Sequence, residues 1–292
     1  MGIKKIILTK GQYQKNDMRV LVSFDDSDKA LDIINLDRTH VGEVYEATVE
    51  KVLKDIDSSI LNLSNGEKGF IENRKLFPEN FLFRHSESKL VCQGDKFLVE
   101  ISQDRKGSKP FSCHFVKEAP KEDYDFIDYF VSRYMDDDYE IISDLSEVIE
   151  KDLNVRAYTD DSVSLWQLYD ITKLLDRATS KVIHLKNGGN IVIEPTEALT
   201  VIDVNTSKSN GKAKPMDTNL LAVEAIASQL RLRSISGIII IDFLKVSKGE
   251  EQLLISSFKE QCKCDISKVA VHEFTHLGLL EITRSRLFSG II

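Results

Sequence analysis

The sequence predicts a multidomain protein of mixed class, α+β and α/β, with a β-barrel in its first half and a parallel α/β sheet in its second. Three observations predict it. Residues 1–37 alternate apolar and polar in short runs, the mark of an antiparallel meander. Five short apolar runs lie between Val41 and Phe115, the strand count of an OB-type barrel. Residues 199–243 read as one β-α-β unit. At 292 residues the chain has room for two or three domains of modest size.

In chain order, the meander is Lys5-Ile-Ile-Leu-Thr9, Met18-Arg-Val-Leu-Val-Ser23 and Ala30-Leu-Asp-Ile-Ile-Asn35. The barrel strands are Val41 to Val52, Ser58 to Leu63, Glu67 to Ile71, Gly94 to Ile101 and Pro110 to Phe115. Tyr124 to Met135, Leu145 to Leu153 and Leu165 to Thr179 read as helices, and Asn154 to Tyr158 as a strand. Asn187-Gly-Gly-Asn190 is a hairpin turn. Leu199 to Val204 alternates and is rich in β-branched residues, as a strand requires. Ser207 to Pro215 is a Gly/Ser/Lys-rich loop. Thr218 to Arg233 places Leu220, Val223, Ala227 and Leu230 on one helical stripe, and Gly237 is read as its breaker. Ile238 to Phe243 is a continuous apolar strand of the covered, parallel kind. Glu250 to Cys262 reads as a helix, Lys268 to Val271 as a strand, and Leu277 to Leu287 as the last element.

Composition narrows the function classes. With 42% hydrophobic and 29% charged residues the chain is ordinary globular protein. No apolar run is long enough to span a bilayer and no signal-peptide core opens the chain, so no membrane association is expected. Four cysteines without paired spacing suit a reducing compartment, and the expected location is cytoplasmic. The net charge of −8 argues against wholesale nucleic-acid binding, although a local basic groove suffices for it. The acidic runs at 121–125 and 136–138 are read as solvated surface.

A right-handed crossover puts the two strands of the β-α-β unit side by side and parallel. Asp203 and Asp242 then stand near their carboxyl ends, where open α/β sheets place ligands. Two carboxylates with Asn205 beside one of them suffice to hold one Mg²⁺ that keeps water in its other positions. An aspartate at a strand end is equally a turn former or a helix cap, and spacing alone leaves both readings open.

Five ordered blocks add a family resemblance. Thr196-Glu-Ala-Leu-Thr-Val-Ile-Asp-Val-Asn-Thr206, Thr218-Asn-Leu220, Gln229-Leu-Arg-Leu-Arg233, Gly237-Ile-Ile-Ile-Ile-Asp-Phe243 and Gly278-Leu-Leu-Glu-Ile-Thr-Arg284 together resemble the ribonuclease E/G family. The resemblance implies a ribonuclease-H-like domain from 1–37 and 119–184, an S1 RNA-binding barrel inserted at 38–118, and a DNase-I-like catalytic domain at 185–292. It implies an endoribonuclease that cuts single-stranded RNA to 5′-phosphate and 3′-hydroxyl ends. Asp203 and Asp242 would bind Mg²⁺, with Mn²⁺ as a substitute, and Asn205 would position the attack. Phe70 and Lys109 match an aromatic and a basic residue of the family's RNA face, though Phe70 is equally a barrel-core residue on pattern alone. Arg284 and Arg286, with Arg231 and Arg233, form a basic cluster read as a phosphate track; the helix dipole explains the late-helix arginines equally well.

Departures from the family pattern are also legible. Ile60 stands where relatives often carry a second aromatic, Lys245 where the family has a second acidic residue, and His276 where relatives tend to have an arginine. No pair matching the family's 5′-monophosphate pocket is present, so sensing of the 5′ end is not expected. The chain also stops before the family's zinc-binding cysteine motif. No structural zinc is expected, and an oligomer, if formed, would not use a zinc link. His272-Glu-Phe-Thr-His276 satisfies the zinc-protease pattern H-E-x-x-H, but strand-like residues precede it and the only later carboxylate, Glu281, is too close to be a third ligand. Cys262-Lys-Cys264 has the wrong spacing for a zinc knuckle. The alternative to a nuclease is an RNA-binding protein that acts through its barrel alone.

Overall fold

The computed structural model describes residues 2–88, 90–105, 107–120, 124–151, 153–206 and 214–291. Most of the expected loop at 207–215 and the opening of the acidic run at 121–125 lie outside these residues, as do the side chains of 136–138. Two compact units form: Met1–Asp37 with Asp136–Arg286 and Gly290–Ile292, and Arg38–Met135 with Leu287–Ser289.

The chain opens with β1 (Ile3–Tyr13), β2 (Asn16–Phe24) and β3 (Ala30–Asn35), paired antiparallel as the meander expected. The second unit follows with β4 (Val44–Leu53), β5 (Ser58–Leu63), β6 (Lys68–Glu72), β7 (Lys96–Gln103) and β8 (Phe111–Val116). These close into a barrel in the order β4-β5-β6-β8-β7, as the OB-type strand count predicted. Ala47, Val49, Leu61, Ile71, Phe97, Val99 and Ile101 point inward and are buried, as alternation in a small barrel dictates. α1 (Phe126–Tyr134) starts at a capping box between Asp125 and Asp128 and belongs to the barrel's unit, where Phe126 packs edge-on to Phe288.

The first unit resumes with β9 (Met135–Ser143), α2 (Ser146–Ile149), β10 (Val155–Ala157), α3 (Leu165–Leu168) and α4 (Ile171–Thr179). β9 and β10 extend the meander into a sheet of order β10-β9-β1-β2-β3. Three details depart from the sequence reading. A strand that the sequence reading did not include runs over Met135–Ser143. The helix expected over 145–153 is a single turn. The helix expected over 165–179 breaks at Asp170, which sits in the left-handed region at φ 52°.

The remaining elements are β11 (Val182–His184), β12 (Asn190–Pro195), β13 (Leu199–Asn205), α5 (Pro215–Leu232), β14 (Gly237–Asp242), α6 (Lys248–Gln261), β15 (Val269–Phe274) and β16 (Leu279–Arg284). They build a six-stranded sheet in the order β11-β12-β13-β14-β16-β15 in which β13 and β14 are parallel. α5 ends at Leu232, before Gly237: Ser234 takes the left-handed conformation that stops it, and Gly237 opens β14. α5 and α6 cover one face of this sheet, where Ile191, Ile202, Ile239, Ile241, Leu280 and Ile282 meet Ala222, Val223, Ile226, Leu254 and Phe258. The alternate residues face the other way, and Val182, Val201 and Ile238 are exposed there. The covered face fixes the strand register, since a slip of one residue would turn every apolar side chain outward.

Candidate metal centre and nucleic-acid face

Asp203 and Asp242 are direct register partners at the carboxyl ends of β13 and β14. Neighbouring strands lie about 4.8 Å apart, and paired residues share a face. Both carboxylates are exposed, on the face that α5 and α6 leave open. Asn205 Nδ2 donates to Asp203 Oδ2 at 2.8 Å. Neither aspartate is in an ion pair among the described residues, so neither is a buried structural charge. The row below adds Glu281, which pairs with Ile240 and is exposed on the same face. It lies diagonal to Asp242, roughly 7–8 Å away by sheet geometry.

No group of three His, Cys, Asp or Glu suited to a metal occurs among the described residues. Two carboxylates open to water on a common face do fit Mg²⁺, which keeps several waters and binds through one or two carboxylates together with phosphate oxygens. They do not fit a closed zinc site.

Two amide side chains, Asn187 and the buried Asn219, hold the loops around this pair. Asn187 Nδ2 donates to Thr218 Oγ1 at 2.8 Å and Gly189 N donates to Asn187 Oδ1 at 3.1 Å, tying the β11–β12 turn to the start of α5. A Cβ at Gly189 would lie 2.7 Å from the Asn205 carbonyl oxygen, so only glycine allows this approach. Asn219, fully buried in α5, donates to Leu244 O at 2.8 Å and accepts from Leu244 N at 3.0 Å, which fixes the chain just beyond Asp242. Asn187, Gly189 and Asn219 were not among the expected site residues; Asn219 stood inside a motif block, and the turn glycine read only as a turn. Lys245 is exposed in the following loop.

In the barrel's unit, Phe70 is half-buried on the outward side of β6, paired with Ile60 in β5 and Ser112 in β8. It is therefore not one of the barrel-core residues. Lys109 is exposed in the turn before β8. Phe77 was not anticipated: it is 47% exposed, packs against Phe115, and has Lys117 Nζ 5.8 Å over its ring.

The arginine cluster is corrected. Arg284 alternates in phase with Leu280 and Ile282, so it turns to the covered face, where its guanidinium grips both Asp265 oxygens at 2.8 Å and donates to Ile235 O. Arg231 is buried against Asp32 of β3, with Nε donating to Oδ1 at 3.0 Å and Nη1 to Cys264 O. Burial opposes its charge, and Asp32 outweighs burial and raises its pKa. Arg233 bonds Ser180 O and Gln229 Oε1, and burial pushes its pKa down to about 10. Arg233 is thus half-buried and held by neutral partners, whereas Arg286 is half-exposed and makes neither an ion pair nor a side-chain hydrogen bond among the described residues.

The zinc-protease reading fails on geometry. His272 lies in β15 and His276 in the turn after it, so the two do not share a helical face. His272 Nε2 instead meets Thr283 Oγ1 at 3.1 Å. An open cleft of about 590 Å³ runs past His272, Glu273 and Glu281. The Cys262 thiol is half-buried, and burial pushes its pKa up to about 12, unlike a metal-ready thiolate.

Residues 120–287 match the model of the ribonuclease E/G family. Ribonuclease G of Salmonella typhimurium (strain SL1344) is 38% identical over 127 residues, 42% of this chain and 26% of that protein. Ribonuclease E of Synechocystis sp. (strain ATCC 27184 / PCC 6803 / Kazusa) is 39% identical over 131 residues, 43% of this chain and 19% of that protein. Ribonuclease E of Buchnera aphidicola subsp. Schizaphis graminum (strain Sg) is 36% identical over 142 residues, 47% of this chain and 15% of that protein. The matches thus span about a quarter or less of these relatives' own length. The family model covers more than half of the chain, including both aspartates and the elements that present them, and on that match the chain belongs to the ribonuclease E/G family.

Proposed function

We propose that the protein is a Mg²⁺-dependent endoribonuclease that cuts single-stranded RNA to 5′-phosphate and 3′-hydroxyl ends, in the cytoplasm. One observation carries this reading: Asp203 and Asp242 stand register-paired and open to solvent at adjacent parallel strand ends, in a chain of this family. These two carboxylates would hold the ion, with Mn²⁺ as a substitute. An ion held by them would supply Lewis acidity, favouring ionisation of a water and offsetting charge on a phosphate.

The chain's own residues do the rest. The Asn205 amide, bonded to Asp203 Oδ2, would keep that carboxylate in one orientation, and its remaining polar atoms would orient water or the scissile phosphate. Asn219 and Gly189 hold the backbone on either side of the pair, so that little reorganisation is left for the reacting state. Phe70 offers a stacking surface and Lys109 a phosphate contact on an S1-type barrel, and Arg286 adds a cation in the first unit. Arg284 is withdrawn from that role. Lys245 stands where the family has an acidic residue, and it would soften the outer support of the ion. We read the five-stranded sheet as the ribonuclease-H-like part and the six-stranded sheet with α5 and α6 as the DNase-I-like part.

Product chemistry tests the reaction type. After incubation with Mg²⁺ and a labelled single-stranded RNA, the downstream fragment should be ligatable through a 5′-phosphate without prior kinase treatment. A 2′,3′-cyclic phosphate on the upstream fragment would exclude the proposed water attack.

A further inference from the structure

Apart from the aspartate pair, the first unit contains a small cavity at the β11 edge of the six-stranded sheet, with a volume of about 80 Å³. Sites for drug-sized ligands occupy roughly 300–1,000 Å³, so this one has room for a small polyatomic group and not for a nucleoside. Its lining is basic. Lys29 comes from the β2–β3 turn, Arg177 from α4, His184 from β11 and Lys186 from the β11–β12 turn, while Glu224 and Ser228 come from α5. Lys29 Nζ donates to Glu224 Oε1 at 3.1 Å, leaving two ammonium protons. Arg177 and Lys186 are exposed and make no ion pair among the described residues. Three permanent cations thus face one carboxylate, an excess of two charges in a chain of net charge −8.

Solvated surface lysines and arginines are common, and each alone would mean nothing. Here four basic residues from four separate elements line one concavity, with too few carboxylates to balance them. We infer that this cavity binds a phosphate group, with the Arg177 guanidinium and the Lys186 ammonium as its principal donors. His184 pairs with Asn190, and Asn190 with Asn205, so the cavity's edge strand lies two strand spacings, about 10 Å, from the strand of Asp203. The cavity lies at the sheet edge beside α5, so a polynucleotide on the open face would have to pass round the β11 edge to leave a backbone phosphate there. A small phosphorylated molecule has the same chemistry.

The test needs no metal and no cleavage. In EDTA, the wild-type protein and the Arg177→Gln/Lys186→Gln double variant are compared in two readouts. One is the rise in melting temperature with inorganic phosphate; the other is the salt dependence of binding to a labelled single-stranded RNA. For single strands each phosphate contact contributes about −0.7 to the slope of log K against log salt. The double variant should lose the phosphate-induced stabilisation. If the ligand is RNA backbone, it should also show a slope shallower by about 0.7 and an affinity several-fold lower. Lost stabilisation with an unchanged RNA slope assigns the cavity to a small phosphorylated ligand instead. An Arg177→Lys/Lys186→Arg protein, which keeps the charge, should recover what the double variant loses, separating the effect from misfolding. If the double variant changes neither readout, the inference is wrong, and this outcome is independent of whether Asp203 and Asp242 support cleavage.

Discussion

Gly189 and Asn205 touch more closely than any side chain at Gly189 would allow. The blocking atom is a backbone oxygen 2.7 Å from the Cβ position, and a backbone oxygen cannot rotate away. Gly189→Ala should therefore push β13 outward at Asn205, with a stability loss of about 1–3 kcal/mol. Cleavage should suffer more, because displacements near 1 Å at a reacting centre lower rates by about 100-fold. The variant's kcat should fall with KM little changed, and a wild-type kcat would show that Asn205 does not position the reaction. At this scale the sequence was uneven. The two aspartates and Asn205 were legible because they end patterned strands within a motif. Arg284 was misread although counting in twos from Leu280 puts it on the covered face. The role of Gly189 was hidden, since a hairpin glycine looks the same whether or not another strand crosses it.

α5 spans both sheets of its unit. Its apolar stripe packs on the six-stranded sheet, and Arg231 near its end reaches Asp32 of β3, which also accepts from Ser23 Oγ. Breaking one side of such a buried pair leaves an uncompensated charge, so Arg231→Met should lower stability by about 3–5 kcal/mol. The Asp32→Leu/Arg231→Met double variant should recover most of that loss, as read from chemical denaturation. A double variant as unstable as the single one would mean that the pair supplies more than mutual compensation. The β-α-β unit was legible because strand and helix periods alternate cleanly through it. β9 was not, since three consecutive aspartates follow its first residue and its apolar pair, Ile141 and Ile142, comes only near its end. The break within 165–179 was hidden because Asp170 interrupts a pattern that is helical on both sides.

Over the whole molecule, the proposed chemistry and the proposed RNA grip fall in different units: the aspartates in one, Phe70 and Lys109 in the other. Their substitutions should therefore separate. Stacking on an aromatic contributes about 1–3 kcal/mol per base. Phe70→Ala should accordingly weaken single-stranded RNA binding by roughly 5- to 150-fold. Lys109→Ala should flatten the salt dependence, and kcat at saturating RNA should stay near wild type for both. Equal RNA affinity for wild type and Phe70→Ala would show that the Phe70 face of the barrel does not bind RNA. The barrel was legible from five evenly spaced apolar runs. The placement of α1 and of Leu287–Ser289 in the barrel's unit was not, because association between segments distant in sequence leaves no local pattern.

Whether Asp203 and Asp242 hold the ion that cleavage requires is decided by following cleavage of a 5′-labelled, A/U-rich single-stranded RNA in Mg²⁺ and in EDTA, with the wild-type, Asp203→Asn and Asp242→Asn proteins. Both carboxylates are exposed and outside ion pairs among the described residues, so either substitution should leave the melting temperature and RNA binding in EDTA intact. The wild type should cut in Mg²⁺ alone, and each variant should lose at least about 100-fold. Cutting in EDTA, cutting by either variant at the wild-type rate, or RNA binding without any cutting would contradict it.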